Sequence, residues 1–177
     1  MGRMRSALRA YALEFPGPAD VLRKLDHKMQ YFEDGDVMAT VSYAVLDPGS
    51  GQLRISSAGH FPPVTVAPGQ HSAMTQIAVD PPVGVADAAR RRVTTLTLAP
   101  GAVLCFFTDG LVERRTEPID DRITRLCQTV TPGPPERVCA SVMQALVESQ
   151  YPSDDIALLV LRWLREETPA STGPAQG

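Results

Sequence analysis

Two acidic motifs carry the chemistry of this chain. Thr108-Asp109-Gly110 closes the apolar run from Ala102 to Phe107, and Asp154-Asp155 opens the apolar run from Ile156 to Leu161. One carboxylate ends a run that reads as a buried strand, and another begins one. If the two strands pair antiparallel, the end of the first lies beside the start of the second. The carboxylates then meet at one rim of a sheet, where a hard cation such as Mg²⁺ or Mn²⁺ finds oxygen ligands. Each motif alone has a plainer explanation. Asp-Gly commonly ends a strand in a turn, and Ser153-Asp154 can cap a surface turn. Taken together, converging carboxylates repel unless a cation or proton sits between them, so a metal is the better account of the pair.

Other chemistry finds less support. His60 lies in the compact turn Ser57-Ala58-Gly59-His60-Phe61-Pro62-Pro63. It could serve as an acid or base, but a histidine in such a turn more often holds the loop by local hydrogen bonds. His27 and His71 are far from it in sequence. Cys105, Cys127 and Cys139 match no zinc or redox spacing and read as reduced packing residues. There is no serine nucleophile elbow and no glycine-rich phosphate cradle. No side chain is assigned a covalent catalytic role.

The elements that must position the acidic pair are legible from periodicity. Gly2 to Glu14 reads as a helix with Met4, Leu8, Tyr11 and Ala12 at helical spacing. Phe15-Pro16-Gly17-Pro18 breaks it, and a second helix runs from Pro18 to Tyr31, with Val21, Leu22, Leu25 and Met29 on one face. Val37 to Leu46 and Gln52 to Ser57 form a hairpin across Asp47-Pro48-Gly49-Ser50-Gly51. Phe61 to Ala67 and Ser72 to Ile77 suggest a second hairpin. Ala78 to Arg90 is expected to be a long loop. Arg92 to Leu98 is a strand, and Pro100-Gly101 turns the chain into the strand that ends at Asp109. Helices over Ile119 to Val130 and Pro134 to Gln150 then return the chain to a last strand, Asp155 to Trp163. This pattern describes an α+β sandwich with helices packed on antiparallel sheets.

The 177 residues carry a formal net charge of −3, and their basic residues are scattered apart from the short runs Arg90 to Arg92 and Arg114-Arg115. That argues against a nucleic-acid surface. No apolar run reaches membrane-spanning length and no secretory segment opens the chain. A cytoplasmic protein is expected.

The stretches MATVSYAVLDPGSGQLRISSAGHFPPV, PPVGV, LAPGAVLCFFTDGLVERR and SDDIALLVLRW, in this order, resemble the SpoIIE-type branch of the metal-dependent (PPM) protein serine/threonine phosphatases. The resemblance implies a β-sandwich flanked by helices in α-β-β-α layers, with a two-metal site at one end. It assigns residues 1–164 to a partial phosphatase domain, while residues 165–177, polar and rich in Pro, Gly and Ala, read as a disordered tail or linker. It implies that Asp109 and Asp154 ligate Mn²⁺ or Mg²⁺. Asp155, at a position that often holds Asn in relatives, and Gly110 would make a backbone or secondary contribution. The implied reaction is hydrolysis of phosphoserine or phosphothreonine, commonly on a phosphorylated anti-sigma-factor antagonist.

One departure matters. Relatives carry a D-x-x-G-H-G segment whose aspartate bridges both metals, together with preceding strands. This sequence contains neither. The chain is therefore expected to have uncovered sheet edges and to be inactive or weak by itself. A fragment of a larger protein, a misplaced gene start or a relative that lost catalysis would each account for this, and the opening directly into a helix and the linker-like tail favour the first two. The alternative function is a non-catalytic regulatory or dimerisation module, with a homodimer formed through the helices from Gly2 to Tyr31.

Overall fold

The computed structural model describes residues 2–32, 38–85, 90–114, 117–147 and 155–165. The expected tail lies outside them except for Arg165, and Asp154 lies outside them as well.

Helix α1 spans Gly2–Glu14 and α2 spans Pro18–Phe32. The Pro16-Gly17-Pro18 break separates them, and Pro18 opens α2 where a missing N–H costs nothing. β1 (Val41–Asp47) and β2 (Gln52–Ala58) form the expected antiparallel hairpin, with Val41 opposite Ala58 and Asp47 opposite Gln52. The turn is fixed by Asp47, whose carboxylate accepts from Gly49 N–H at 3.0 Å and from Ser50 Oγ at 2.5 Å. Gly51 leaves it at φ 72°, with Trp163 so close that a β-carbon there would stand 2.8 Å from the indole ring. β3 (Val64–Val66) and β4 (Ala73–Met74) make the second hairpin.

The expected loop from Ala78 to Arg90 is corrected at its start. Val79–Asp80 forms a short strand, β5, parallel to β2 at Ser57 and Ala58. Val83 then bridges Ala39. Two residues of strand leave almost no periodic signal, and their partner lies more than twenty positions earlier, so the sequence pattern could not reveal them. β6 (Thr94–Thr97) pairs antiparallel with the other half of β2.

β7 (Val103–Phe107) is followed by α3 (Ile119–Thr129), α4 (Pro135–Leu146) and β8 (Leu158–Arg162). β8 pairs antiparallel with β7, Phe107 facing Leu158 and Val103 facing Arg162. The last strand thus starts three residues after Asp155 rather than at it.

The strands form two sheets. One has β2 between β1 and the β5/β6 side; the other runs β4-β3-β7-β8. Between them lie Ala44, Leu46, Leu53, Leu104, Phe106, Leu161 and Trp163. The opposite face of β7, Val103, Cys105 and Phe107, packs under Leu126, Val138, Val142 and Leu146 of α3 and α4. Leu22, Leu25 and Met29 of α2 cover Ala58, Val41 and Tyr43 on the first sheet. Alternation along each strand therefore serves both cores and yields the α-β-β-α layers expected. Among the described residues β1 and β8 have no outer neighbour. No residue of β1 is fully buried, and Leu159 of β8 is 61% exposed. Among the described residues no helix is long and apolar enough to cross a membrane.

Candidate metal and phosphate site

The antiparallel pairing of β7 and β8 brings Asp109 and the backbone of Asp155 to one rim. Past the last ladder pair, Thr108 N–H donates to the Ala157 carbonyl at 3.0 Å. Thr108 Oγ1 donates to the Asp155 carbonyl at 3.0 Å and accepts from Ala157 N–H at 2.8 Å. Thr108 thus clamps the chain just after Asp154 against the residue just before Asp109.

Asp109 begins a single 3₁₀ turn, Asp109–Leu111. Its Oδ1 accepts from Gly110 N–H at 2.9 Å. Its carbonyl accepts from Val112 N–H at 2.8 Å and Glu113 N–H at 2.7 Å. The carboxylate is half-buried, and among the described residues it makes no ion pair. Gly110 is buried and contributes its N–H; the Asp155 side chain is exposed, although its backbone is held by Thr108.

His60 stands on the neighbouring turn. Ser57 Oγ donates to its carbonyl at 2.8 Å, and its Nδ1 lies 3.5 Å from Thr40 Oγ1. The Ser57 contact is local and made through the His60 backbone; the ring's contact is with Thr40, 20 positions earlier. The ring also reaches the β7 end. Burial lowers its pKa, while the negative charge of Asp109 and a hydrogen bond to the Phe107 carbonyl work in the opposite sense. Gly59 is required next to it: at φ 69°, a β-carbon would stand 2.6 Å from Pro82 Cγ. Phe61 stacks on Phe107 with ring centroids 5.8 Å apart.

Two adjacent arginines anchor this turn from below. Arg91 forms a buried bidentate pair with Asp26 of α2, Nε–Oδ2 2.7 Å and Nη2–Oδ1 2.6 Å, and also donates to the carbonyls of Pro81 and Pro82. Arg92 pairs with Asp80, Nε–Oδ1 2.6 Å. The Asp80 carbonyl in turn accepts from Gly59 N–H at 2.7 Å. Sequence reasoning missed these ties because the acidic partners lie 65 and 12 positions away in the chain.

A divalent cation fits the donor chemistry in kind: Asp109 offers a hard carboxylate oxygen that no cation pairs with among the described residues. It does not yet fit in number. Among the described residues no three His, Cys, Asp or Glu side chains gather as a metal cage. Asp109 is placed at the rim, and Asp154 lies outside the described residues.

A family model for stage II sporulation protein E (SpoIIE) matches residues 1–164. The chain belongs to the SpoIIE family. Solved structures share its fold. The RsbU and RsbW domains of Rv1364c from Mycobacterium tuberculosis superpose with a TM-score of 0.80 at 24% identity, over 94% of this chain and 49% of that one. The PP2C phosphatase domain with a regulatory-domain fragment of SpoIIE from Bacillus subtilis gives 0.75 at 16% identity, over 90% and 49%. RsbX, solved in complex with magnesium, gives 0.67 at 15% identity, over 91% and 71%. The SpoIIE-family chain described here spans about half the length of the first two structures.

Proposed function

We propose that this chain is part of the catalytic domain of a SpoIIE-type phosphatase that hydrolyses phosphoserine or phosphothreonine in a protein, namely a phosphorylated anti-sigma-factor antagonist, with Mn²⁺ or Mg²⁺. The observation that carries the reading is the Thr108 clamp, which sets the Asp109 turn beside the segment that follows Asp154. Asp109 and Asp154 are the proposed ligands. When bound, the cation supplies Lewis acidity toward water and toward the phosphoryl oxygens. The chain's own residues do the positioning. Gly110 N–H holds one oxygen of Asp109, and Thr108 holds the two strand ends together.

The same reading makes this polypeptide inactive or weak by itself. Its sequence has no D-x-x-G-H-G segment, so a cation that wants about six oxygens gets too few from protein. Phosphate release from a phosphorylated antagonist in Mn²⁺ is the test. Background-level release by this chain, and release by a longer chain carrying D-x-x-G-H-G that Asp109→Asn abolishes, are expected. Robust Mn²⁺-dependent release by this polypeptide alone would overturn the inactivity. Release by the longer chain that survives Asp109→Asn would overturn the assignment of Asp109.

One observation favours a second reading, a regulatory or dimerisation module. Helix α1 buries only Ala7 and leaves Leu13 92% exposed. A monomer at all concentrations in sedimentation would remove the homodimer from that reading.

A further inference from the structure

Arg122 is the least expected buried group in the molecule. It lies in the first turns of α3 and is 2% exposed. Its Nη2 donates to two backbone carbonyls, Leu111 at 3.0 Å and Leu146 at 2.6 Å. Its Nη1 donates to Glu117 Oε2 at 2.9 Å, and the other oxygen of Glu117 accepts from Arg125 at 2.7 Å. Nε is buried and has no hydrogen-bond partner among the described residues.

The two carbonyls have something in common. Leu111 ends the 3₁₀ turn that begins at Asp109, and Leu146 ends α4. Carbonyls at helix ends have no partner within their helix and need one from outside. Both leucines are fully buried, so water is a poor substitute. A single guanidinium satisfies both and holds the two ends at one point. Lysine offers a point charge on a flexible stem and cannot reproduce the planar fork.

We propose that Arg122 is a positioning residue of the site: by tying the Leu111 carbonyl to the end of α4, it fixes the turn that presents Asp109. The tie itself is independent of any metal. Its consequence for cation binding rests on the reading of Asp109 as a ligand.

The turn has its own reporters. Leu111 N–H donates to the Thr108 carbonyl, and the amides of Val112 and Glu113 donate to that of Asp109. Amide hydrogen exchange is measured on the wild-type chain, Arg122→Met and Arg122→Lys, and Mn²⁺ affinity by calorimetry on the same proteins and on Asp109→Asn. In both Arg122 variants, exchange at Leu111, Val112 and Glu113 should accelerate by about tenfold or more, the scale of a lost charged hydrogen bond. Amides of β1 and β2 should be unchanged, and Mn²⁺ affinity should fall in parallel with Asp109→Asn. Unchanged exchange at the three turn amides overturns the proposal. So does uniform acceleration across the molecule in both variants, which would make Arg122 a general stability residue. Selective acceleration with Mn²⁺ binding indifferent to Asp109→Asn would uphold the tie and overturn the metal reading instead.

Discussion

Thr108 and Ala157 exchange two hydrogen bonds, backbone N–H to carbonyl at 3.0 Å in one direction and backbone N–H to Oγ1 at 2.8 Å in the other. The threonine side chain extends the β7–β8 ladder one residue beyond its last backbone pair. It does so one residue before Asp109 and two residues after Asp155.

Removing that hydroxyl isolates its contribution. Thr108→Val keeps the shape and loses the contacts to Ala157 N–H and the Asp155 carbonyl. Stability in urea should drop by about 1 kcal/mol, the scale of one or two solvent-exposed hydrogen bonds. Exchange of the Ala157 amide should rise selectively. A variant as stable as wild type, with Ala157 still protected, would show that the clamp is dispensable.

The Asp26–Arg91 pair predicts a larger effect. Its side chains are 5% and 0% exposed, and it joins residues 65 apart in sequence. Asp26→Ala strands a buried guanidinium, and unfolding measurements should show a loss of about 3–5 kcal/mol. Replacing both partners, Asp26→Leu with Arg91→Met, should cost much less, because no unpaired charge remains. Equal losses in the single and double variants would contradict this.

His60 should make stability depend on pH. Burial lowers its pKa from the ordinary 6.5, against the opposing pull of Asp109 and the Phe107 carbonyl. The folded state therefore prefers neutral imidazole, and the unfolded chain takes up the proton first as pH falls. The stability contributed by this group is complete above the unfolded value and is lost as pH drops through the folded one. Urea midpoints taken from pH 7.5 to 5 should fall more steeply for wild type than for His60→Gln. Parallel slopes would refute the assignment.

Thiol reactivity provides a check on the core. Burial, then the neighbouring thiols of Cys139 and Cys127, push the Cys105 pKa up to about 12. At pH 8 its thiolate fraction is then about one in ten thousand, and only the thiolate reacts. Burial also raises the Cys127 thiol, with the Met74 N–H acting against it. Ellman's reagent should leave Cys105 silent in the native chain and reach all three thiols in urea. Rapid reaction of all three in native buffer would mean that β7 is not buried as described.

Much of this architecture is legible locally. The bounds of α1 follow from its apolar spacing and the proline-glycine break after it, and the observed helix matches them at Gly2 and Glu14. The β1–β2 hairpin follows from alternation on either side of an Asp-Pro-Gly turn. The rim position of Asp109 follows from an apolar run that ends in Asp-Gly, plus two helices long enough to bring the chain back antiparallel. Arg122 left one faint trace: it sits four residues before Leu126 and eight before Val130, on the apolar stripe of its helix. A charged residue in that register signals a buried partner.

The amino-acid sequence by itself determined the helices, the main strands, the layer order and the family, because periodicity, turn residues and short ordered motifs act over a few positions. Only the tertiary structure decided which distant groups share a site: Arg91 with Asp26, Asp80 with Gly59, Arg122 with Leu111 and Leu146, and the two-residue strand β5 beside β2. Those partners are chosen by burial, since a charge or carbonyl removed from water must find a mate wherever packing has placed one, and no local pattern encodes where that is.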